Sequence, residues 1–479
     1  MFSWSLRDFI SSLKEAKELE ILEGTSCDLE IGTLTEMVAE RKGPALLFDK
    51  IQGYEPGRRI ITNMTSTPRR MAISLGLRAD LPPLEVAKDL KERLKALRGV
   101  QPTSVNGGPV KENLLRGPEA DVTRFPAPKW HEDDGGPYIG TGCAVVMRDP
   151  DEGWVNVGTY RVQVHDRRLL GLYISPGHHG RIIRERYWAR GEECPVAIVV
   201  GLHPLLLFAS FIAVGWGVSE YEVAGGLGGR PVEVVKGEVT GLPVPAESEL
   251  VIEGFLPPPE KESRAEGPFG EWTGYYATGS RNEPVVRVEG IMHRDDPIIT
   301  GDPPLKPPAS PDGEYIYRAA SVWNELERAG VPGIRGVWKL PAGGGRYLTV
   351  VSLRQRYAGH ARHAGLAAMS GPDGGYHGRF VIVVDDDIDP TDENDVLWAV
   401  ATRCDPETSI EVVKRCWSTP LDPTIPPWKR ERKDFTNSRA VIDACIPFEW
   451  KEQYPPVNRA REPLRQKIRE KWTKLFPQS

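Results

Sequence analysis

The chain has 479 residues, 40% hydrophobic and 27% charged, with a formal net charge of −6. That length exceeds a single hydrophobic core and predicts two or three domains, and the composition is that of an ordinary globular protein. Acids and bases are interspersed, and the net negative charge argues against a nucleic-acid partner, which calls for a basic face.

Cys27, Cys143, Cys194, Cys404, Cys416 and Cys445 are scattered, with no C-x-x-C pair and no zinc spacing. They read as reduced thiols used as small core residues. The opening residues lack a basic stretch followed by an apolar one, so no signal peptide is read. The longest apolar run, near 205–214, is too short to cross a bilayer. The expectation is a cytoplasmic protein with no membrane partner.

Leu6, Phe9, Ile10 and Leu13 recur at helical spacing and predict an opening amphipathic helix. A helix over 33–41, a buried strand over 44–51, a helix over 84–97 and a loop over 102–118 complete an N-terminal α/β domain, 1–118. From 119 strands dominate: 143–147, 154–164, 169–174, 197–200, 232–236, 250–255 and 285–292, with one helix near 181–191. This pattern suits a barrel-like or split-sheet domain over 119–301. Helix 315–329, strands 347–352 and 379–384, and helix 394–403 predict a doubly wound α/β domain over 302–455. The tail, 456–479, carries a basic amphipathic helix over 462–476, with Leu464, Ile468, Trp472 and Leu475 on its apolar stripe.

The segment Glu266-Gly267-Pro268-Phe269-Gly270-Glu271 places a carboxylate on each side of a turn. Pro at the second turn position and Gly at the fourth suit a type I reversal that brings both acids to one side. Two close carboxylates do not both ionise freely, which makes one of them a proton donor near neutral pH; a solvated acidic hairpin is the alternative. In the stretch 154–161, Asn156 and Arg161 differ in parity and face opposite sides of one strand, unless Gly158 between them marks a bulge or a close approach. Ser175-Pro176-Gly177-His178-His179-Gly180-Arg181 follows a strand and opens a helix, where backbone N–H groups attract phosphate and a neutral imidazole can ligate a cation. Glu220 adds a carboxylate. An Asn oxygen, an imidazole and a carboxylate suit Mn²⁺ or Mg²⁺ better than Zn²⁺, and a cofactor phosphate completes such a set. His360 and His363 lack the Glu of a zinc-protease helix, and Asp385-Asp386-Asp387-Ile388-Asp389 reads as a strand-end capping loop. No P-loop and no G-x-S-x-G is present.

Taken together these motifs resemble the UbiD family of prenylated-flavin-dependent (de)carboxylases. The matching pieces are Asn156 through Arg161, the His178/His179 helix start, Glu220, and Glu266 through Glu271. The run from Val384 to Asp389, Asp395 through Ala399, Thr402-Arg403-Cys404, and Arg439 before Val441-Ile442-Asp443 also match. The resemblance covers nearly the whole chain and implies a three-domain α/β (α+β) subunit whose central split β-barrel holds prenylated FMN. It implies Mn²⁺ on Asn156, His179 or His178, and Glu220. It also implies a K⁺ site at Ala209, Ser210 and Ile212 with Glu220 shared, and a catalytic network of Arg161, Glu266 and Glu271. Of the two histidines it favours His179. Cofactor contacts would come from Asn156, Thr159, Tyr160, Arg161, Ser175, Pro176, the His pair and Arg439, which stands where the family has a lysine.

The implied activity is reversible, non-oxidative decarboxylation of an aromatic, heteroaromatic or α,β-unsaturated acid through a covalent flavin adduct, exchanging CO₂ for a proton from Glu271. Implied partners are that acid and CO₂, a UbiX-type flavin prenyltransferase that supplies the cofactor, and copies of the chain in a homodimer or homohexamer. The alternatives are an FMN oxidoreductase on a similar barrel, for which no G-x-G-x-x-G follows a strand, and a non-catalytic carboxylase subunit.

Overall fold

The computed structural model describes residues 2–310 and 312–475. Three large sheets follow the chain, and a small fourth one is formed by Pro243–Pro245, Glu233–Lys236 and Thr103–Ser104.

The first sheet runs in the order Leu19–Glu23, Ala45–Asp49, Arg59–Thr62, Ile298–Gly301. Ala45 to Phe48 are all buried, as the apolar run 44–51 leads one to expect. The helix Leu6–Glu15 buries Leu6, Phe9 and Leu13, and Glu30–Glu40 and Pro83–Ala96 match the other two expected helices closely. The last strand of this sheet comes from beyond the next sheet in sequence. Ile298–Gly301 pairs in parallel with Arg59–Thr62, so residues near 300 complete the N-terminal domain.

The middle of the chain forms a ten-stranded antiparallel sheet. Its path is Tyr138–Gly140, Val162–Asp166, Leu169–Leu172, Arg281–His293, Leu250–Leu256, Cys194–Val200, Cys143–Arg148, Val155–Gly158. Val145, Val162, Ile198, Ile252 and Val286 close its inner face and are fully buried. Each such side chain contributes roughly 1.5–3 kcal/mol of burial. Two corrections arise here. The expected loop 102–118 contains the strand Asn113–Arg116, which pairs with Arg281–His293. The expected single strand 154–164 is two strands, Val155–Gly158 and Val162–Asp166, broken at Thr159, Tyr160 and Arg161.

The third sheet runs in the order Ile334–Lys339, Leu348–Leu353, Phe380–Asp385, Thr436–Asp443, Ile410–Trp417. Its three central strands are parallel and its two edges antiparallel. Val350, Ile382 and Val384 pack with Val396 and Ala399 of the helix Glu393–Arg403, while Val351, Val381 and Val383 pack with Ala361 and Ala364 of His360–Ala368. Helices therefore cover both faces. The tail helix spans Glu462–Lys471 and buries none of its residues; the end of the expected helix, Phe476, lies outside the described residues. Among the described residues no helix is long and apolar enough to cross a membrane.

Candidate active site

The break after Gly158 builds the site. A Cβ on Gly158 would stand 2.4 Å from the Tyr160 hydroxyl, so only glycine lets the Tyr160 ring fold back over the strand it has just left. The reversal removes the parity conflict. Asn156 stays in the sheet, while Arg161, outside it, turns to the segment 266–271.

Arg161 joins the two glutamates. Its Nε donates to Glu266 Oε1 at 2.8 Å and its Nη2 to Glu266 Oε2 at 2.9 Å, a bidentate pair; its Nη1 donates to Glu271 Oε1 at 3.1 Å. Planar fork geometry of this kind fixes a guanidinium firmly. The Tyr138 hydroxyl donates to Glu266 Oε1 at 3.0 Å, and the guanidinium lies over the Tyr173 ring at 4.6 Å. Glu266 retains 1% of its side-chain surface in solvent, Glu271 14%. Burial raises the Glu271 carboxyl above its ordinary range; the charge and hydrogen bond of Arg161 pull it back, and the Glu266 charge is only a small contributor. The shift therefore comes from burial, not from the mutual repulsion expected of two neighbouring acids. The turn also departs from type I: Gly267 has φ +80° and the Gly267–Pro268 peptide is cis.

Asp134 secures this turn. It is 5% exposed, and its carboxylate accepts hydrogen bonds from the His131 N–H at 3.0 Å, the Tyr276 hydroxyl at 3.1 Å and the Gly270 N–H at 3.4 Å. Beside the turn lies a cleft of about 370 Å³ whose walls include Glu271, Gly274, Tyr275 and Tyr276.

A second carboxylate centre stands on the other side of the break. Glu220 opens the helix Glu220–Gly228 and is 3% exposed. It accepts from Asn156 Nδ2 at 2.8 Å and from the Val157 N–H at 2.6 Å. No cationic side chain pairs with it among the described residues, and burial pushes its carboxyl up to about 7. The Tyr160 hydroxyl reaches Asn156 Oδ1 at 3.5 Å and accepts from the Gly180 N–H at 3.3 Å, tying the His helix to this centre. Thr159 Oγ1 and Ser210 Oγ lie 2.5 Å apart, which brings the turn at Ala209, Ser210 and Ile212 alongside.

The two histidines part company. His178 is the N-cap residue of the helix His179–Ala189, and its ring stands edge-on to Tyr160 at 5.9 Å. The His179 ring is wedged edge-on between Trp154 at 5.5 Å and Trp216 at 5.2 Å. The two rings thus have different neighbours, Tyr160 for His178 and the two tryptophans for His179. Burial lowers both imidazoles, so both are neutral at neutral pH. Ser175 Oγ donates to the Tyr173 hydroxyl at 3.1 Å, and Pro176 is exposed.

Arg439 is not brought to this group. Its guanidinium donates to the carbonyls of Met369 at 2.9 Å and Gly374 at 3.2 Å, and to those of Gly375 and Trp417, all in the C-terminal domain. The Asp385–Asp389 loop has structural partners: Asp385 accepts from Gln355 Nε2 and the Ile446 N–H, and Asp387 pairs with Arg403 at 2.7 Å. His360 Nδ1 accepts from the Arg356 N–H, and His363 Nδ1 meets the Tyr357 hydroxyl.

Sequence reasoning missed Tyr138 and Asp134. Tyr138 sits in an apolar strand and carries no polar signal, and Asp134 belongs to a Glu-Asp-Asp-Gly-Gly run that reads as a surface turn.

The structure thus sets a buried Glu–Arg–Glu network beside an Asn–Glu pair in a three-domain α/β subunit. The chain matches the 3-octaprenyl-4-hydroxybenzoate carboxy-lyase N-terminal domain over 10–94, the Rift-related domain over 103–307 and the C-terminal domain over 315–444. It belongs to the UbiD family of carboxy-lyases. It is 31% identical to the pyrrole-2-carboxylic acid decarboxylase of Pseudomonas aeruginosa, over 98% of this chain and 97% of that one. It is 30% identical to the phenolic acid decarboxylase of Streptomyces sp. (strain D7), over 92% of each. The structure of the UbiD-class enzyme HmfF from Pelotomaculum thermopropionicum in complex with FMN superposes with a TM-score of 0.85, at 30% identity over 96% of this chain and 98% of that one. An evolved dimeric form of HmfF in complex with prFMN superposes with a TM-score of 0.82, at 29% identity over 97% and 98%.

Proposed function

We propose that the protein is a reversible, non-oxidative decarboxylase of an aromatic, heteroaromatic or α,β-unsaturated acid that works with prenylated FMN. The observation that carries this reading is Arg161 held between Glu266 and Glu271, with burial raising the carboxyl of Glu271. The donor set fits the cofactor's metal. Glu220 is buried with only neutral partners, which is costly for an anion unless a cation joins it. Asn156, His178 and Glu220 would hold Mn²⁺, or Mg²⁺, together with the flavin phosphate. The backbone and hydroxyl oxygens of Ala209, Ser210 and Ile212 would hold K⁺ with Glu220. Thr159, Tyr160, Ser175 and Pro176 would border the cofactor. When bound, prenylated FMN supplies an electron sink for the electrons left when CO₂ departs.

The chain's own residues do the rest. Arg161 orients the substrate carboxylate, and Glu266 with Tyr138 fixes Arg161. Glu271, whose carboxyl burial raises above its ordinary range, delivers the proton that replaces CO₂. In the reverse direction it takes that proton back. Aromatic acids are the substrates favoured by the relatives' names.

The test is release of CO₂ from a panel of hydroxybenzoates, heteroaromatic acids, cinnamates and aromatic acyl-CoA acids, using protein co-expressed with a UbiX-type flavin prenyltransferase. At least one acid is expected to react; silence across the panel with verified cofactor loading overturns the reading. The tail supports a homodimer or homohexamer: Leu464, Ile468, Trp472 and Leu475 are 53, 41, 51 and 70% exposed. Light scattering on a chain ending at Pro456 tests this, and an unchanged mass removes the tail from the interface.

A further inference from the structure

Glu271 spends one proton per turnover, and a donor sealed in protein would work once. The two glutamates differ on this point. Glu266 has 1% of its side-chain surface open, and Glu271 has 14%. Glu271 lies in the wall of the 370 Å³ cleft, whereas neither Glu266 nor Arg161 lines it.

The cleft runs between the N-terminal domain and the middle sheet. Leu29, Thr33 and Glu36 border it on the side of the helix Glu30–Glu40. Glu132, Asp133, Tyr275, Tyr276 and Lys306, all exposed, also line it. Besides Glu271 itself, three carboxylates, Glu36, Glu132 and Asp133, line the cleft with one lysine. Such a lining repels an anionic acid, and the group that would bind that acid, Arg161, is outside the cleft. The same lining holds water well, and the volume is far above the roughly 30 Å³ that one water occupies in the liquid.

We propose that this cleft is the proton-uptake route of Glu271: a water-filled passage from bulk solvent that reprotonates the donor after each turnover, separate from the path taken by the aromatic acid. The inference rests on Glu271 being the donor. A proton from bulk water passes along the cleft to the Glu271 carboxylate, restoring the acid that protonated the product carbon.

Thr33 is exposed on its helix and lines the cleft, so Thr33→Trp fills the passage without disturbing a core, and Thr33→Ser is the matched control. The first readout is independent of turnover. A water-soluble carbodiimide with a small amine labels accessible protonated carboxyls, and peptide mass spectrometry reports where. Glu271 is expected to label at least about tenfold faster than Glu266, and Thr33→Trp to abolish that advantage while Thr33→Ser keeps it. In the loaded enzyme Thr33→Trp is expected to lower kcat with KM unchanged and to raise the solvent deuterium isotope effect on kcat. Equal labelling of the two glutamates, labelling of Glu271 that survives Thr33→Trp, or a rise in KM at constant kcat each overturns the proposal, the last because the cleft would then carry substrate. The labelling result stands apart from the donor assignment: a fully active Glu271→Gln enzyme removes Glu271 as donor, whereas failed labelling removes only the route.

Discussion

Glu266 and Glu220 are both carboxylates with almost no solvent contact, 1% and 3% exposed, yet the fold treats them in opposite ways. Glu266 receives a guanidinium, a phenol and a bidentate geometry. Glu220 receives an amide and a backbone N–H, both neutral. Burying an anion needs a countercharge. For Glu266 the chain carries its own; for Glu220 we read the countercharge as a metal ion. One carboxylate is therefore permanently wired into the protein, and the other is left to answer to what binds.

The largest effect that would sharpen this contrast is at Glu271, the acid that shares the guanidinium. Glu271→Gln should bind flavin as the parent does while turnover falls by at least about 10²-fold, the low end for a lost general acid; full activity would leave proton delivery without a carrier. Glu266→Gln should also reduce turnover, and its effect should not add to that of an Arg161 variant, because both act on one orientation.

On the neutral side, Glu220→Ala and His178→Ala should each weaken Mn²⁺ retention by at least about tenfold and lose flavin with it, read by elemental analysis and flavin absorbance. His179→Ala should retain both, since its ring is packed between Trp154 and Trp216. The reverse outcome for the two histidines would return the assignment to His179.

The third effect is on stability. Folding raises the Glu220 carboxyl from 4.5 to about 7, so between those values the native state holds a proton that the unfolded chain has released. Metal-free protein should therefore be most favoured by this group below about pH 4.5, and should lose a few kcal/mol of stability as pH rises through 7. Mn²⁺ should restore more stability at pH 8 than at pH 5, and Glu220→Gln should flatten both trends in thermal melts. A smaller effect is expected from Asp134→Ala, which frees the turn beneath Glu271: about 1–3 kcal/mol by denaturant melts, with kcat reduced more than KM is raised.

Apolar runs made the strands Ala45–Asp49, Cys143–Arg148 and Leu250–Leu256 legible, because their burial pattern is written in consecutive residues. Edge strands were not. Leu19–Glu23 alternates among partly and fully exposed residues, and Ile410–Trp417 is polar and open along most of its length. The helix Glu220–Gly228 was hidden by its own glycines, which are there because Gly225 and Gly226 pack directly on the carbonyls of Val100 and Arg98. At the site, residue types in order pointed to Asn156, Arg161, Glu220, Glu266 and Glu271. What spacing could not show was the break at residues 159–161, since it depends on where the Tyr160 ring folds, nor the separation of His178 from His179, which is decided by two tryptophans far apart in sequence. Arg439 matched a pattern in sequence, but its hydrogen bonds go to carbonyls of its own domain.

The strand Ile298–Gly301 closes the sheet begun by the first sixty residues. On the ribosome, where chains emerge N-terminus first, the leading domain must therefore wait with an open sheet edge until the entire middle sheet has been made. The unit that starts first is finished second, and a nascent chain stopped near residue 118 carries an exposed strand edge of the kind that pairs with strangers.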